Sequence, residues 1–374
     1  MPSRVFSLSV HSKYACGRSG ACCTAGWSIP VERRLRGLLG VRVLVPDADG
    51  KCPHFDRETR LCAVHHNHGQ ETLPGACFQF PRRALIDDRG TFITLSHYCP
   101  TAARLLLLDD GPLTVVEHPE AFPTTRTYEG LDARGSWAPL VRPDLLFELD
   151  SYTLWERFVV ASLASTEQTV GDSLSRIATA AEDLRRWTPR EGSFADWTAR
   201  LLDHYPNSGR PSSPGLGRVF SSTAPSLGRY SDYTELEAFS RVTETVDRGL
   251  PVPTLPESLA LAYETLVAPG WNRFSGPVRR YLASKAFGSW SAYQSRGVRS
   301  LVAELYAAEM VLRVEAVRAC QTVGRPLDSD RLLAAIRASD LLLIHLVDRH
   351  AFMKWIGRVE NTCHPARSRH PHVA

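Results

Sequence analysis

Seven cysteines, Cys16, Cys22, Cys23, Cys52, Cys62, Cys77 and Cys99, fall within the first hundred residues of this 374-residue chain, and only Cys320 and Cys363 lie beyond them. Thiolates are soft donors. Four of them close a tetrahedral shell around zinc or hold the corners of a 2Fe–2S or 4Fe–4S cluster. Seven candidates exceed one shell, which leaves three arrangements open: some cysteines are structural, two centres are bound, or a larger cluster is present. The adjacent pair Cys22-Cys23 is informative, because neighbouring side chains diverge and both reach one ion only from a turn. Ser19-Gly20-Ala21 supplies small residues for that turn, and Pro53, Pro74, Pro81 and Pro100 stiffen the loops near the other cysteines. Paired C-x2-C zinc knuckles are missing, and so are the ferredoxin run C-x2-C-x2-C-x3-C-P and the C-x3-C-x2-C triplet of the common radical S-adenosylmethionine enzymes. His54, His65, His66 and His68 are available to complete a mixed shell, so zinc and iron-sulfur both stay open. Cys320 reads differently, as a small hydrophobe inside a helical core.

The compartment sets what the thiols mean. Met1 to Ser12 has no charged segment followed by a long apolar run, so no secretory signal is read there. The apolar stretches Leu105 to Leu108 and Leu341 to Val347 fall far short of the roughly 20 residues that cross a bilayer. A cytoplasmic protein with no membrane partner is expected, and in reducing cytosol an odd count of nine cysteines fits disulfides badly. The formal net charge of +4, with acids and bases interleaved, argues against a nucleic-acid partner.

The elements that must position the cysteines read as a mainly α protein: a small, irregular, Cys-rich N-terminal metal-binding region with a short β-hairpin, followed by a helical domain. The expected divisions are a metal or iron-sulfur binding region at 1–111, a Pro-rich connector at 112–149, a helical domain at 150–359 and a disordered tail at 360–374. In the first region a helix is expected over Val31 to Leu39. The run Ala84 to Leu95 predicts a hairpin about Asp87-Asp88-Arg89-Gly90, which would bring Cys77 and Cys99 together. A helix over Thr101 to Leu108 has Pro100 in its first turn. Later helices are predicted from apolar spacings of three and four: from Asp150 or Ser151 through Ala161, Thr169 to Trp187, Phe194 to His204, Thr234 to Arg248, Pro256 to Leu266, Ser300 to Thr322 and Ser329 to Trp355. Pro206 to Tyr233, dense in Ser, Gly and Pro, reads as a long mobile loop.

Several linked motifs carry a resemblance. Tyr14-Ala-Cys16-Gly-Arg-Ser-Gly-Ala-Cys22-Cys23-x3-Trp27-x-Ile29 is followed by Cys52-Pro-x-Phe-Asp-x5-Cys62, by Leu73-Pro-x2-Cys77-x2-Phe80-Pro81-Arg82 and by Leu95-Ser-x2-Cys99-Pro100. This set resembles the YkgJ-type cysteine-cluster family of zinc- or iron-chelating proteins over about Val5 to Leu107. Within it, the chain is most similar to the flagellin lysine-N-methylase group. A fainter likeness to that group continues in Val278-Arg-Arg-Tyr281-Leu282-x4-Phe287, Leu327-Asp328 and Ser339-Asp340-x4-His345. Many relatives read C-x2-C-x2-C-C where this chain has Ser19 at the second position, so one presumed ligand is missing here. The resemblance implies an iron-sulfur cluster, of the 4Fe–4S kind, or zinc. It also implies methyl transfer from S-adenosylmethionine to the ε-amine of a lysine on a protein substrate. No glycine-rich strand-turn-helix of the usual nucleotide-binding kind is present, so the methyl donor would be held at the cysteine-bound cluster itself. Arg82 and Arg83 are candidates for fixing its carboxylate by a two-pronged contact. Trp27 is a candidate lid over the centre, whereas Asp340 and His345, five apart, are expected on different faces of a helix in capping or core roles. The alternative is a non-catalytic zinc- or iron-binding module whose helical half binds a partner protein.

Overall fold

The structure, a computed structural model, describes residues 4–117, 128, 130–203, 205 and 257–357. The expected loop near 206–233, the helix expected over 234–248 and the tail at 360–374 lie outside the described residues. Within them the protein is mainly α with one small mixed sheet. Among these residues no helix is long and apolar enough to cross a membrane.

The predicted hairpin forms the centre of the sheet. Strands β4 (Arg82–Asp87) and β5 (Gly90–Leu95) pair antiparallel from Arg82↔Leu95 to Asp87↔Gly90, two residues longer at the start than the sequence suggested. Strand β1 (Val5–Leu8) pairs parallel to β5, β6 (Val115–Glu117) runs antiparallel on the outer edge of β1, and β7 (Gly130–Asp132) runs parallel to β4, giving the order β6-β1-β5-β4-β7. A separate two-stranded ribbon joins β2 (Ile29–Pro30) to β3 (Val43–Leu44).

Strand alternation divides what the sheet touches. Phe92 belongs to the large core of the helical half, together with Leu85, Leu8 and Val10. Ile93 and Leu95 point the other way, into a small core with Val5, Tyr14, Cys99 and Ala102. The expected boundary at residue 111 therefore does not separate two cores. The reputed connector also differs from expectation, because 115–117 and 130–132 add both edge strands, at positions with too few alternating residues to signal a strand.

Helix starts and stops follow local chemistry. Thr169 and Asp172 form a reciprocal capping box at the start of Val170–Arg185, and Gly324, with φ +66°, closes the central helix Val298–Val323. A buried fork of Arg299 on Glu182, with N–O distances of 2.6 and 2.7 Å, locks these two helices together. The helix predicted over Ser329 to Trp355 is in fact three pieces. Ser329–Asp340 passes into a π-turn at Leu341–Leu346, and a new helix, Arg349–Ile356, restarts where Asp348 accepts a hydrogen bond from the Ala351 N–H. Val31 to Leu39 is likewise broken, into a 3-10 turn at Arg33–Leu35 and one α-turn at Arg36–Leu39 that ends at Gly40.

Candidate metal centre

All seven N-terminal cysteines line one cavity of about 360 Å³. Local backbone chemistry explains the convergence. Cys22 and Cys23 ride a 3-10 turn, Ala21–Cys23, entered through Gly20 at φ +69°. A Cβ on Gly20 would lie 2.3 Å from the carbonyl oxygen of Arg60, so only glycine lets the 52–62 segment press this close. The Cys52 N–H donates to the Cys23 carbonyl at 2.8 Å, and the Ala63 N–H donates to the His54 carbonyl at 2.9 Å. With the Phe55–Cys62 bridge, these bonds fold Cys52 and Cys62 back beside the turn. Cys77 arrives on the short helix Gly75–Gln79, whose first N–H donates to the Glu32 carboxylate at 2.5 Å.

The sulfurs form two groups. The Cys23 thiol neighbours those of Cys22, Cys52 and Cys62, and Cys77 lies beside this group. Cys99, at the entrance of the helix Pro100–Leu108, keeps company instead with Cys16 and with Tyr14, whose hydroxyl is 3.9 Å from the Cys99 Sγ. The hairpin thus does not bring Cys77 and Cys99 into one group; it places Cys99 on another part of the same wall.

The neighbouring Cys23 thiol is the main cause of two thiol acidities: Cys62 is lowered to about 6 and Cys52 to about 7, while Cys23 itself is driven far up. Burial first, and then the neighbouring sulfurs, push the Cys77 thiol well above its usual range. Burial also raises Cys99. A low thiol pKa presents thiolate, the form that ligates metal, at neutral pH.

The rest of the lining carries no carboxylate. Its charged side chains are Arg18 and Arg82, with His54, His65 and His66 as further nitrogen donors, whereas His68 stands outside. Sulfur and imidazole without carboxylate suit zinc, copper(I) or iron-sulfur and exclude the oxygen-seeking calcium and magnesium. As they stand, no three or more His, Cys, Asp or Glu side chains among the described residues are arranged to hold a single metal ion. The thiols are neighbours, but the shell is not closed about a point.

Trp27 and Phe80 give the cavity an aromatic wall. Trp27 does not cover it alone: its ring lies 4.4 Å from that of His345, 5.6 Å from Phe80 and 5.8 Å from Tyr98. His345 is fixed in turn by Ser96 Oγ at 2.6 Å from its Nε2, and burial followed by the nearby Arg83 lowers its pKa to about 3. Behind this wall Asp340, fully buried, accepts from the His97 backbone N–H at 2.6 Å, from His97 Nδ1 at 3.1 Å and from the Lys285 ammonium. Burial would push Asp340 up, but Lys285 and His97 overcome it and hold the carboxyl well below its ordinary range. Burial also keeps His97 and His11 below theirs. With neutral rings, Nδ1–H of His97 donates to Asp340, and its Nε2 accepts from His11 Nε2–H across 3.1 Å. That leaves His11 Nδ1 as a buried acceptor with no hydrogen-bond partner.

Asp340 and His345 were expected on different faces; the π-turn between them brings both to the Ser96-His97 corner. Arg82 and Arg83 were expected to act as a pair, and the strand separates them. Arg82 pairs in register with Leu95, lines the cavity and lies over the Tyr14 ring at 5.4 Å. Arg83 pairs with Thr94 on the opposite face and lies 4.7 Å over Trp290. Tyr14, His11, His97 and Lys285 went unnoticed as site residues, although His97 lies inside the Leu95-Ser-x2-Cys99 motif. Comparison of the chain with family models, with curated proteins and with solved structures finds no match.

Proposed function

We propose that this chain holds an iron-sulfur cluster on thiolates of its N-terminal cavity and uses it as an S-adenosylmethionine-dependent protein lysine N-methyltransferase. One observation carries the metal-binding half: Cys22, Cys52 and Cys62 gather about Cys23 inside a cavity that no carboxylate lines. Iron-sulfur is favoured over a lone zinc ion because Cys16, Cys77 and Cys99 bring more thiols to that cavity than a four-ligand shell uses. The methyl-transfer half rests on the motif resemblance to the flagellin lysine-N-methylase group. When bound, a cluster with one iron short of a thiolate supplies an open position for the donor's amino and carboxylate groups. Of the chain's own residues lining the cavity, Arg82 is the candidate for that carboxylate, and Trp27 and Phe80 are the candidates for keeping water from one side.

A specific observation favours a second reading, a zinc- or iron-stabilised module that recognises a partner protein. The apolar core beneath the ribbon and Cys77 is small, seven buried residues around Val31 and Leu44, and such a core commonly depends on a metal for stability.

Anaerobic purification with metal and sulfide analysis and Mössbauer spectroscopy separates the two. Brown protein with iron and sulfide, both lost in Cys23→Ala, supports the cluster; colourless protein with stoichiometric zinc supports the module. Reconstituted protein that keeps its cluster yet binds no S-adenosylmethionine would remove the methyltransferase assignment.

A further inference from the structure

Arg83 sits away from the sulfur cavity, on the helical face of β4, where a second cavity of about 20 Å³ opens beside it. That volume suits one water molecule or a small ion. Lys285, Arg349 and Glu304 share its lining. Their charges divide cleanly: the Lys285 ammonium is taken by Asp340, and Arg349 bonds Glu304 at 2.7 Å. Arg83 is the remainder. Its partner is the Trp290 ring, which is held in place by an indole N–H bond of 2.9 Å to the Ala84 carbonyl. The neighbourhood therefore carries three cations against two carboxylates, and a half-buried charge without a counter-charge is poorly compensated by solvent.

We infer that the pocket between Arg83, Lys285 and Arg349 is a built site for one small monoanion, a halide or a one-carbon carboxylate, which neutralises Arg83 and braces the sheet against the helices. The geometry favours a single negative charge, since one cation is left over, and a small ligand, since the space is small. Burial and the repulsion of Arg349 lower Arg83 to about 10, which leaves it charged at neutral pH. Other groups facing it are Asp340 and Glu304, both already paired. The guanidinium is planar and weakly hydrated, which suits it to a partly dehydrated anion.

The test uses the full chain. Melting temperature is measured in sodium chloride, sodium bromide, sodium formate and sodium gluconate at matched ionic strength, for wild type and for Arg83→Gln and Arg83→Lys. Higher melting in chloride and bromide, or in formate, than in bulky gluconate is expected for wild type. The gain should be retained at least in part by Arg83→Lys and lost in Arg83→Gln. Whether the halides or formate act identifies the ligand. Equal melting in all four salts, or a gain undiminished in Arg83→Gln, would overturn the site. Should Arg83→Gln fail to fold, bromide-soaked wild-type crystals decide: an anomalous peak between Arg83, Lys285 and Arg349 supports the site, and peaks confined to the surface refute it.

Discussion

Replacing Asp340 with asparagine removes the carboxylate that three groups share. Asp340 is completely buried, and Lys285 and both N–H groups of His97 point at it. Breaking a buried pair by removing one partner costs about 3–5 kcal/mol, because the surviving charge is stranded. Lys285 has an escape: burial already lowers its pKa, so it sheds its proton once the carboxylate is gone, which places the loss near the lower bound, about 3 kcal/mol. Asparagine keeps one acceptor for His97, which removes any reason to go beyond that range. Equilibrium urea unfolding followed by tryptophan fluorescence reads the change. Asp340→Asn combined with Lys285→Met removes the stranded cation as well and should be more stable than Asp340→Asn alone, with a coupling of about 1–3 kcal/mol. A loss below about 1 kcal/mol in Asp340→Asn, or strict additivity in the double variant, would refute the reading of Asp340 and Lys285 as a coupled buried pair.

Gly20→Ala should lower the metal bound per chain, since a Cβ there meets Arg60 at 2.3 Å and the left-handed backbone costs a further ~1–2 kcal/mol. Gly26→Ala, equally left-handed but with open space around it, should keep its metal. Cys23→Ala should abolish metal retention measured by elemental analysis, while Cys320→Ala, buried in the central helix, should leave it intact and only lower the melting temperature. His345 has a folded-state pKa of about 3, below the usual ~6.5, so its contribution to stability is complete above ~6.5 and is lost as pH falls from there toward about 3. His345→Gln should reduce that slope by up to ~1.4 kcal/mol per pH unit in urea unfolding at successive pH values, with His11 and His97 leaving a residual slope.

Features with a local signature were legible in the sequence. The hairpin announced itself by β-branched residues about Asp87 to Gly90, the long helices by their apolar spacing, and the sulfur cavity by the density of cysteines and neighbouring prolines. Features made by distant partners were not. Val5–Leu8 is four residues long and joins β5 in parallel, so no turn marks the pairing. His11, His97 and Lys285 are ordinary residues until Asp340 is brought among them. The Arg82–Arg83 separation could have been deduced, because neighbours on a strand face opposite ways, but only by extending the hairpin two residues toward its start. The π-turn at Leu341–Leu346 had no such clue, and five-residue spacing on a regular helix argued the other way.

The long reach from Ser96 to His345, 249 residues apart in the chain, bears on how the protein is made. A ribosome delivers every thiol of the cavity by residue 99, yet the imidazole backing Trp27 and the carboxylate anchoring His97 lie far downstream, at residues 345 and 340. Until those residues are made the sulfurs stand without their finished aromatic screen, open to oxidants and to whatever soft metal is at hand. Lasting occupancy by the correct inorganic partner is therefore expected to follow synthesis of the segment carrying Asp340 and His345 rather than that of the cysteines.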